Sequence, residues 1–227
     1  MMTRDEPLRY GRAAIAFGLA GAALYGLMTT LTLAHIETLS GQVPFDMRPF
    51  GYNPQQAVQL LDGLGDEGRI YYLTRQIPLD TVYPALLAMT LVSAICWFGR
   101  SRPNCKLVRF GIAFSIGAAL FDYAENIGIA TMLLNWPNLP DALVFATSAT
   151  SIAKSCLTTA AVLVAIVIGI TWACRPKDAI IPTQKSEAAA RTYGADYREI
   201  DSAGHDIMLD IAAMEAADAV AAWVKRI

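Results

Sequence analysis

Four stretches of this chain are too long and too apolar to belong to an ordinary soluble domain. They cover about residues 13–36, 80–99, 108–134 and 143–173, and the first has no acid or base in 24 residues. A helix needs roughly 20 mostly apolar residues to cross the hydrocarbon of a bilayer. The apolar core of a secretory signal peptide is only about 7–15 residues long, so we expect the first stretch to be a retained span. The sequence therefore predicts an all-α bundle of four transmembrane helices.

Charged residues divide the chain into two unlike parts. Of the 38 charged side chains, 16 lie in residues 175–227, whereas residues 107–174 hold five. We therefore predict a membrane domain over residues 1–174 and a short soluble tail over residues 175–227. The predicted partner is the lipid bilayer, because a net charge of −2 gives no reason to expect a nucleic acid.

Lysines and arginines flank the predicted spans mainly on one side. The connection over residues 37–80 has three arginines against six acids, and the connection over residues 135–142 has no base. The basic residues at the opposite ends of the spans are Arg4, Arg9, Arg12, Arg100, Arg102, Lys106, Arg109, Arg175 and Lys177. The positive-inside rule then predicts that both termini are cytoplasmic. Together with the alanine-rich composition, this pattern favours a multi-pass protein of a bacterial inner membrane.

Residues 37–79 are too many for a simple turn and carry helix signals of their own. Asn53-Pro54 is typical of an N-cap followed by proline in the first turn, and Gly65 of a helix end. A second helical stretch follows, which we expect Pro78 to interrupt. The segment therefore predicts a small helical cap outside the cytoplasm.

The two later spans contain charged residues near the middle of the bilayer. Asp122, Glu125 and Asn126 are spaced i, i+3 and i+4, so they share one helix face. Glu125 and Lys154 lie about 13 and 16 Å below the outer ends of their helices at ~1.5 Å per residue. Because an ionised group at this depth costs several kcal/mol, we expect Lys154 to pair with Asp122 and Glu125. Asn126 and the hydroxyls of the fourth span would complete the hydrogen bonds.

This intramembrane cluster leaves three functional hypotheses open. Two carboxylates and one lysine leave one surplus negative charge or one bound proton, which suits binding or transport of a small lipid-soluble or protonatable molecule. The same residues suit an intramembrane acid–base enzyme. In the third hypothesis the cluster only holds the helices of a structural or interaction protein together. Asp80, at the mouth of the second span, either caps that helix or reaches toward the cluster.

The four cysteines and two histidines do not form a metal-binding pattern. No Cys-x-x-Cys pair and no cluster of cysteine with histidine occurs. We therefore expect neither a metal nor another cofactor.

The tail has a pattern unlike that of the spans. Its periodicity predicts a helix over about residues 184–193, a strand over about 196–200 and an amphipathic helix over about 208–226. Two short motifs accompany these elements, Asp178-Ala-Ile-Ile-Pro182 and Ala203-Gly204-His205-Asp206, and Trp223 follows in the last helix.

The order of these motifs resembles the C-terminal end of the α/β-hydrolase fold. Asp178 and His205 are separated by 27 residues, which fits the spacing of the acid and the histidine in that family. The resemblance implies a short α/β fragment in which Asp178 is the acid that orients His205, and His205 is the catalytic base.

The nucleophile that an α/β-hydrolase requires is missing from this sequence. There is no G-x-S-x-G motif, and the nearest string, residues 113–117, lacks the first glycine and lies in the third span. A base and an acid without a nucleophile do not perform acyl transfer, so we expect no hydrolase activity. The tail is then either a fusion relic or a piece that docks on another protein.

Overall fold

The computed structural model describes residues 6–101, 103–173, 183–194, 197 and 213–224, which divide between two compact units, Met1–Ile170 and Thr171–Ile227. In these residues the α-helices are α1 Glu6–Leu27, α2 Leu33–Ser40, α3 Pro54–Tyr71, α4 Ile77–Phe98, α5 Lys106–Asn135, α6 Asp141–Ala173, α7 Thr183–Tyr193 and α8 Ala213–Val224. Short 3-10 turns occur at Phe45–Met47 and Gly99–Ser101. The described chain is therefore helical apart from its connections.

Four helical stretches are long and apolar enough to cross a membrane: Arg9–Ser40, Pro54–Phe98, Lys106–Asn135 and Asp141–Ala173. Large apolar side chains on them point away from the protein, among them Leu19, Leu31, Leu120, Ile127, Leu163 and Ile170. Soluble monomers rarely expose apolar patches of this extent, whereas a lipid environment accepts them. The prediction of an all-α membrane part with four helices long and apolar enough to cross a membrane is confirmed in the described residues.

Neighbouring helices of the first unit run antiparallel. The contacts between each two helices establish the antiparallel direction. Between α1 and α4, Gly11 lies at Trp97 and Gly21 at Leu86; between α4 and α5, Ile95 lies at Gly111 and Asp80 at Asn126. Between α5 and α6, Gly117 lies at Leu157 and Gly128 at Thr147. The start of α1 and the end of α4 consequently lie at one end of the bundle. The connections over residues 41–53 and 136–140 lie at the other end.

Residues 41–53 and α3 form an apolar core with the bundle. Phe45 and Tyr52 are buried beside each other, with ring centroids 4.7 Å apart. They join a buried cluster that also contains Ile36, Ala57, Leu60, Leu61, Leu64, Tyr72, Ile129, Met132, Leu133 and Val144. We call residues 41–53 the 41–53 connection. The apolar core holds this connection against α3, α5 and α6.

The start and the break of α3 agree with the sequence prediction. The Asn53 side chain accepts a hydrogen bond from the backbone N–H of Gln56, and the Gln56 side chain accepts one from the backbone N–H of Asn53, both at 2.9 Å. This reciprocal capping box satisfies two backbone donors at the helix start. Gly65 interrupts α3 with a positive φ of 60°.

The interruption that we predicted at Pro78 is wrong. Pro78 lies in the first turn of α4, where a backbone N–H has no acceptor within its own helix and a proline is tolerated. A π-helical turn, Tyr72–Gln76, connects α3 to α4, so the chain is helical from Pro54 to Phe98 apart from the break at Gly65. The second candidate span therefore continues from α3, and the predicted helical cap over residues 37–79, separate from the spans, is not supported.

A second π-helical turn, Met28–Thr32, lies between α1 and α2 and contacts the first one. Thr32 Oγ1 donates a hydrogen bond to Gln76 Oε1, and Gln76 Nε2 lies 3.9 Å from Met28 Sδ. All three side chains are buried. π-Helical turns are rare and are frequent near functional sites, and the sequence pattern did not indicate either of them.

The tail differs from the predicted α/β fragment. Its described part contains two helices, α7 and α8, and no strand. The predicted strand over residues 196–200 lies outside the described residues except for Tyr197, and Asp178 and His205 also lie outside them. The α/β character of the tail therefore finds no support where the chain is described, because both of these pieces follow a helical pattern.

Replacement of Gly128 by Ala is expected to destabilise the protein by about 1–3 kcal/mol, because a small residue is required where α5 approaches α6. A Cβ atom at this position would lie 2.9 Å from Thr147 Cβ, and Thr147 is buried. The midpoint of thermal unfolding of the purified protein in detergent measures the effect. Gly26→Ala is the matched control, since nothing lies within 4 Å of its added Cβ; equal losses in the two variants would contradict the prediction.

Candidate functional site

Lys154 of α6 is paired with two carboxylates of α5. Its Nζ lies 3.1 Å from Asp122 Oδ1 and forms an ion pair with Glu125. Ser151, one turn before Lys154, donates a hydrogen bond to Glu125 Oε1. The Glu125 side chain is completely buried, and that of Lys154 is 15% exposed. The structure thus brings these three charged residues together, and we call them the Lys154 triad.

Asn126 follows Glu125 in the sequence but turns to a different helix. Its Nδ2 donates a hydrogen bond of 3.1 Å to the backbone carbonyl of Asp80 in α4. Pro84, four residues after Asp80, has no backbone N–H, so this carbonyl lacks its usual donor within the helix. Asn126 therefore supplies the donor that Pro84 cannot supply, and it does not complete the Lys154 triad as we expected.

Asp80 lies inside α4 and is buried. The N-cap of α4 is Gln76, so the interpretation of Asp80 as an N-cap is wrong. The charges that act most strongly on the Asp80 carboxyl are those of Asp46 and Asp122, which repel it, followed by the attractive charge of Lys154. Asp80 therefore belongs to the same polar region as the Lys154 triad.

Asp46 and Tyr52 of the 41–53 connection also reach this region, and sequence reasoning missed both. Tyr72 donates a hydrogen bond of 2.6 Å to Asp46 Oδ2, and the charge of Asp46 acts on both Glu125 and Lys154. Nothing in the sequence distinguishes Asp46 from other acids of the connection, since its position depends on the path of a non-helical segment. Tyr72, the donor to Asp46, is fully buried.

The 41–53 connection is fastened to α6 next to the Lys154 triad. The backbone N–H of Tyr52 donates a hydrogen bond of 2.8 Å to Ser148 Oγ, one turn before Ser151. Burial, with the nearby charges of Glu125 and Asp46, raises the pKa of the Tyr52 phenol, so the hydroxyl stays protonated. Arg48 covers the rings of Tyr52 and Phe45 at 5.9 Å, and burial lowers the pKa of its guanidinium.

Several buried oxygens of this region have no hydrogen-bond partner in the described part of the chain. They are Asp46 Oδ1, Tyr52 Oη, Asp80 Oδ2 and Asn126 Oδ1, while Glu125 Oε2 also has no hydrogen bond but forms the ion pair with Lys154. The Tyr52 hydroxyl lies beside Ser151, but the Ser151 hydroxyl donates to Glu125. Buried polar atoms are nearly always satisfied in folded proteins, so a concentration of unsatisfied oxygens in one place needs an explanation.

Two further residues were predicted as site residues from the sequence. Asp178 and His205, the hydrolase-like pair, lie outside the described residues. Among the residues that are described, no group of three or more His, Cys, Asp or Glu side chains is arranged to hold a metal ion. The candidate site therefore consists of the Lys154 triad together with Asp46, Tyr52, Asp80 and Asn126.

The class of protein that these observations define is an all-helical chain with four candidate transmembrane helices and a buried acidic site. Comparison of the chain with protein families, curated proteins and solved structures gives no match. The resemblance of the tail to α/β-hydrolases thus stays a prediction.

Replacement of Lys154 by Met is expected to destabilise the protein by about 3–5 kcal/mol, because it leaves two buried carboxylates without their cation. Unfolding of the purified protein in detergent measures the loss. Combining this change with Asp122→Asn and Glu125→Gln should restore much of the stability. Lys106→Met, at an exposed lysine of α5, is the control and should change little. A triple variant no more stable than Lys154→Met alone would refute the pairing.

Replacement of Asn126 by Leu should destabilise the protein by about 1–3 kcal/mol, because the Asp80 carbonyl would lose its donor. Pro84→Ala restores a backbone N–H at the position that normally donates to this carbonyl. The Asn126→Leu change should therefore cost clearly less stability in a Pro84→Ala background. A double-mutant cycle on the unfolding midpoints measures this coupling. Additive effects of the two substitutions would show that Asn126 does not replace the missing bond.

Proposed function

We propose that this chain is an integral membrane protein that binds, and in doing so carries or senses, a small protonatable molecule at the buried acidic site. The observation that carries the proposal is an imbalance of charge. Four carboxyl groups, those of Asp46, Asp80, Asp122 and Glu125, lie within electrostatic range of one buried ammonium group, that of Lys154. Protons or a bound cationic group would offset the surplus acids.

Cost is the first argument for this function. An ionised carboxylate in the interior of a membrane bundle is unfavourable by several kcal/mol unless it is paired. A cluster that serves only to hold helices together is cheapest when its charges balance, and one lysine with two carboxylates already leaves one surplus negative charge. Asp80 and Asp46 add two further acids, neither of which forms a salt bridge among the described residues. Their presence is understandable if they interact with something besides the protein.

Unsatisfied oxygens are the second argument. In the described residues, the five buried side-chain oxygens without a hydrogen bond all belong to the acidic site, and one of them, Glu125 Oε2, has an ion pair with Lys154. The other four accept hydrogen bonds or, for Tyr52, are able to accept them. A purely structural cluster would be fully paired, because an unmade buried hydrogen bond costs about 1–3 kcal/mol. This argument favours binding over the structural hypothesis. No observation on the described residues favours the acid–base enzyme over binding.

The proposed setting follows from the distribution of basic residues. With both termini in the cytoplasm of a bacterial cell, the 41–53 connection and α3 would lie on the outer side of the inner membrane. The acidic site would then lie directly below that connection, which contributes Asp46 and Tyr52 to it.

Replacement of Asp80 by Asn is expected to raise the unfolding midpoint while it weakens ligand binding. Asparagine removes a surplus charge and offers N–H donors to neighbouring acceptors, a gain of about 1 kcal/mol, or about 2–4 °C for a chain of this size. Binding is measured as the ligand-dependent rise of the unfolding midpoint, with a panel of small weak bases and weak acids. At least one member of the panel should bind and stabilise the wild-type protein. The same molecule should bind the Asp80→Asn variant about tenfold less tightly.

Asp62→Asn is the matched control for this experiment, because Asp62 is an exposed acid of α3. It should alter neither the stability nor the response to the panel. A destabilised Asp80→Asn variant, with no member of the panel bound by the wild-type protein, would instead support the structural hypothesis and refute the proposed function.

A further inference from the structure

The acidic site has two halves with opposite hydrogen-bonding character. In the Lys154 triad, an ammonium group already lies between the two carboxylates of α5. In the other half, Asp46 Oδ1, Asp80 Oδ2 and Asn126 Oδ1 are buried acceptors without a donor. We call Asp46, Asp80 and Asn126 the acceptor group. Asp80 and Asn126 are each only 4% exposed, so bulk water does not satisfy these oxygens.

The members of the acceptor group come from three elements, the 41–53 connection, α4 and α5. Asn126 of α5 donates to the Asp80 backbone, and its amide also contacts the Asp80 carboxyl group. Among the charges that act on Asp80, that of Asp46 is the strongest and is repulsive. Tyr72 occupies the second oxygen of Asp46, which leaves Oδ1 as the free one. The Asp46 and Asp80 carboxyl groups thus repel each other, and among the described residues neither forms a salt bridge with a cationic side chain.

We propose that the acceptor group binds the ammonium group of a small primary amine, with Asp46 and Asp80 as its charged partners and Asn126 as a third acceptor. This inference rests on the proposed function and specifies the chemical class of its ligand. An alkylammonium group carries three N–H donors and one positive charge. It therefore supplies both the hydrogen-bond donors and the positive charge that the acceptor group lacks.

Lys154 supports this choice, because it is a primary ammonium group that serves the neighbouring pair of acids in the same way. It lies between Asp122 and Glu125, each on a separate turn of α5. An amine between Asp46 and Asp80 would repeat that arrangement across the 41–53 connection and α4. The bundle is thus shown to accommodate one buried ammonium group between two carboxyl groups, and the acceptor group offers the same chemistry a second time.

A metal ion fits the acceptor group less well. Hard cations such as Ca²⁺ and Mg²⁺ take about six or more oxygens at roughly 2.0–2.6 Å. The described residues contain no group of three or more acidic, histidine or cysteine side chains suited to hold a metal. An ammonium group does not require several oxygens to converge on one point, because each of its N–H groups can donate to a separate acceptor.

The surroundings of the acceptor group suit the apolar part of an amine. Phe45, Tyr52 and Tyr72 are buried in the adjoining apolar core, with Phe45 4.7 Å from Tyr52 and 6.3 Å from Tyr72 between ring centroids. Aromatic rings attract an ammonium group and its alkyl substituents. The alkyl part of the ligand would contact these rings while the ammonium group reaches Asp46 and Asp80.

Ethylammonium chloride, added to the purified full-length protein in lipid nanodiscs, tests the inference. Tetramethylammonium chloride is the matched control, since it has the same charge and no N–H donor, and sodium chloride controls for ionic strength. The unfolding midpoint should rise with ethylammonium in a saturable manner and should not respond to either control. Asp46→Asn and Asp80→Asn should each weaken the response about tenfold, whereas Asp62→Asn should leave it unchanged.

Infrared difference spectra of wild-type protein with ¹³C-labelled aspartate give a second readout that does not depend on the folding of any variant. Ethylammonium should shift the aspartate carboxyl bands, and tetramethylammonium should not. Unshifted bands, or equal stabilisation by sodium, would overturn the inference. So would a response that survives in both aspartate variants and is lost in Glu125→Gln; in that case the proposed function would stand and only the assignment to the acceptor group would fail. Binding of a different member of the panel, without any response to ethylammonium, would likewise refute only the amine.

Discussion

The pairing of Lys154 with Asp122 and Glu125 is the interaction on which the arrangement of α5 and α6 depends. Folded proteins are stable by only about 5–15 kcal/mol, and one unpaired charge inside a bundle costs a large part of that amount. Sliding α6 along α5 by one turn, about 5.4 Å, would separate these charges. The triad therefore fixes the register of the two helices, with the close approach of Gly128 to Thr147 one to two turns away.

A second polar constraint ties α4 to the same region. Pro84 leaves the Asp80 carbonyl without a donor in its own helix, and Asn126 supplies one from α5. In a membrane, where no water is present to satisfy such a group, neighbouring helices commonly do so. The Asp80 side chain is buried and feels the charges of Asp46, Asp122 and Lys154. The polar residues of three helices and one connection thus form one continuous site instead of separate pairs.

How much of this arrangement the sequence predicts depends on what kind of segment carries each residue. Helical spacing alone indicates that Asp122 and Glu125 share a face of α5. Lys154 lies at a similar depth in the next span, which predicts that it pairs with them, and the structure contains this pairing. Asp46 and Tyr52 could not be predicted, because their positions depend on the path of a non-helical connection. The partner of Asn126 was assigned wrongly, although Pro84 was a usable signal, since the carbonyl that it leaves free is always four residues before it.

The π-helical turn Tyr72–Gln76 determines which side chains before and after it share one face of the helix. In an uninterrupted α-helix Tyr72 and Asp80, eight residues apart, would be rotated by about 80° from each other at ~100° per residue. The wider turn absorbs one residue, which reduces the rotation to about 20°. Tyr72 and Asp80 can therefore both point into the buried interior, as their exposures of 0% and 4% require. The extra residue in this one turn thus rotates the two parts of the helix relative to each other. As a result, the Tyr72 phenol, which donates to Asp46, and the Asp80 carboxyl group point to the same side of the helix.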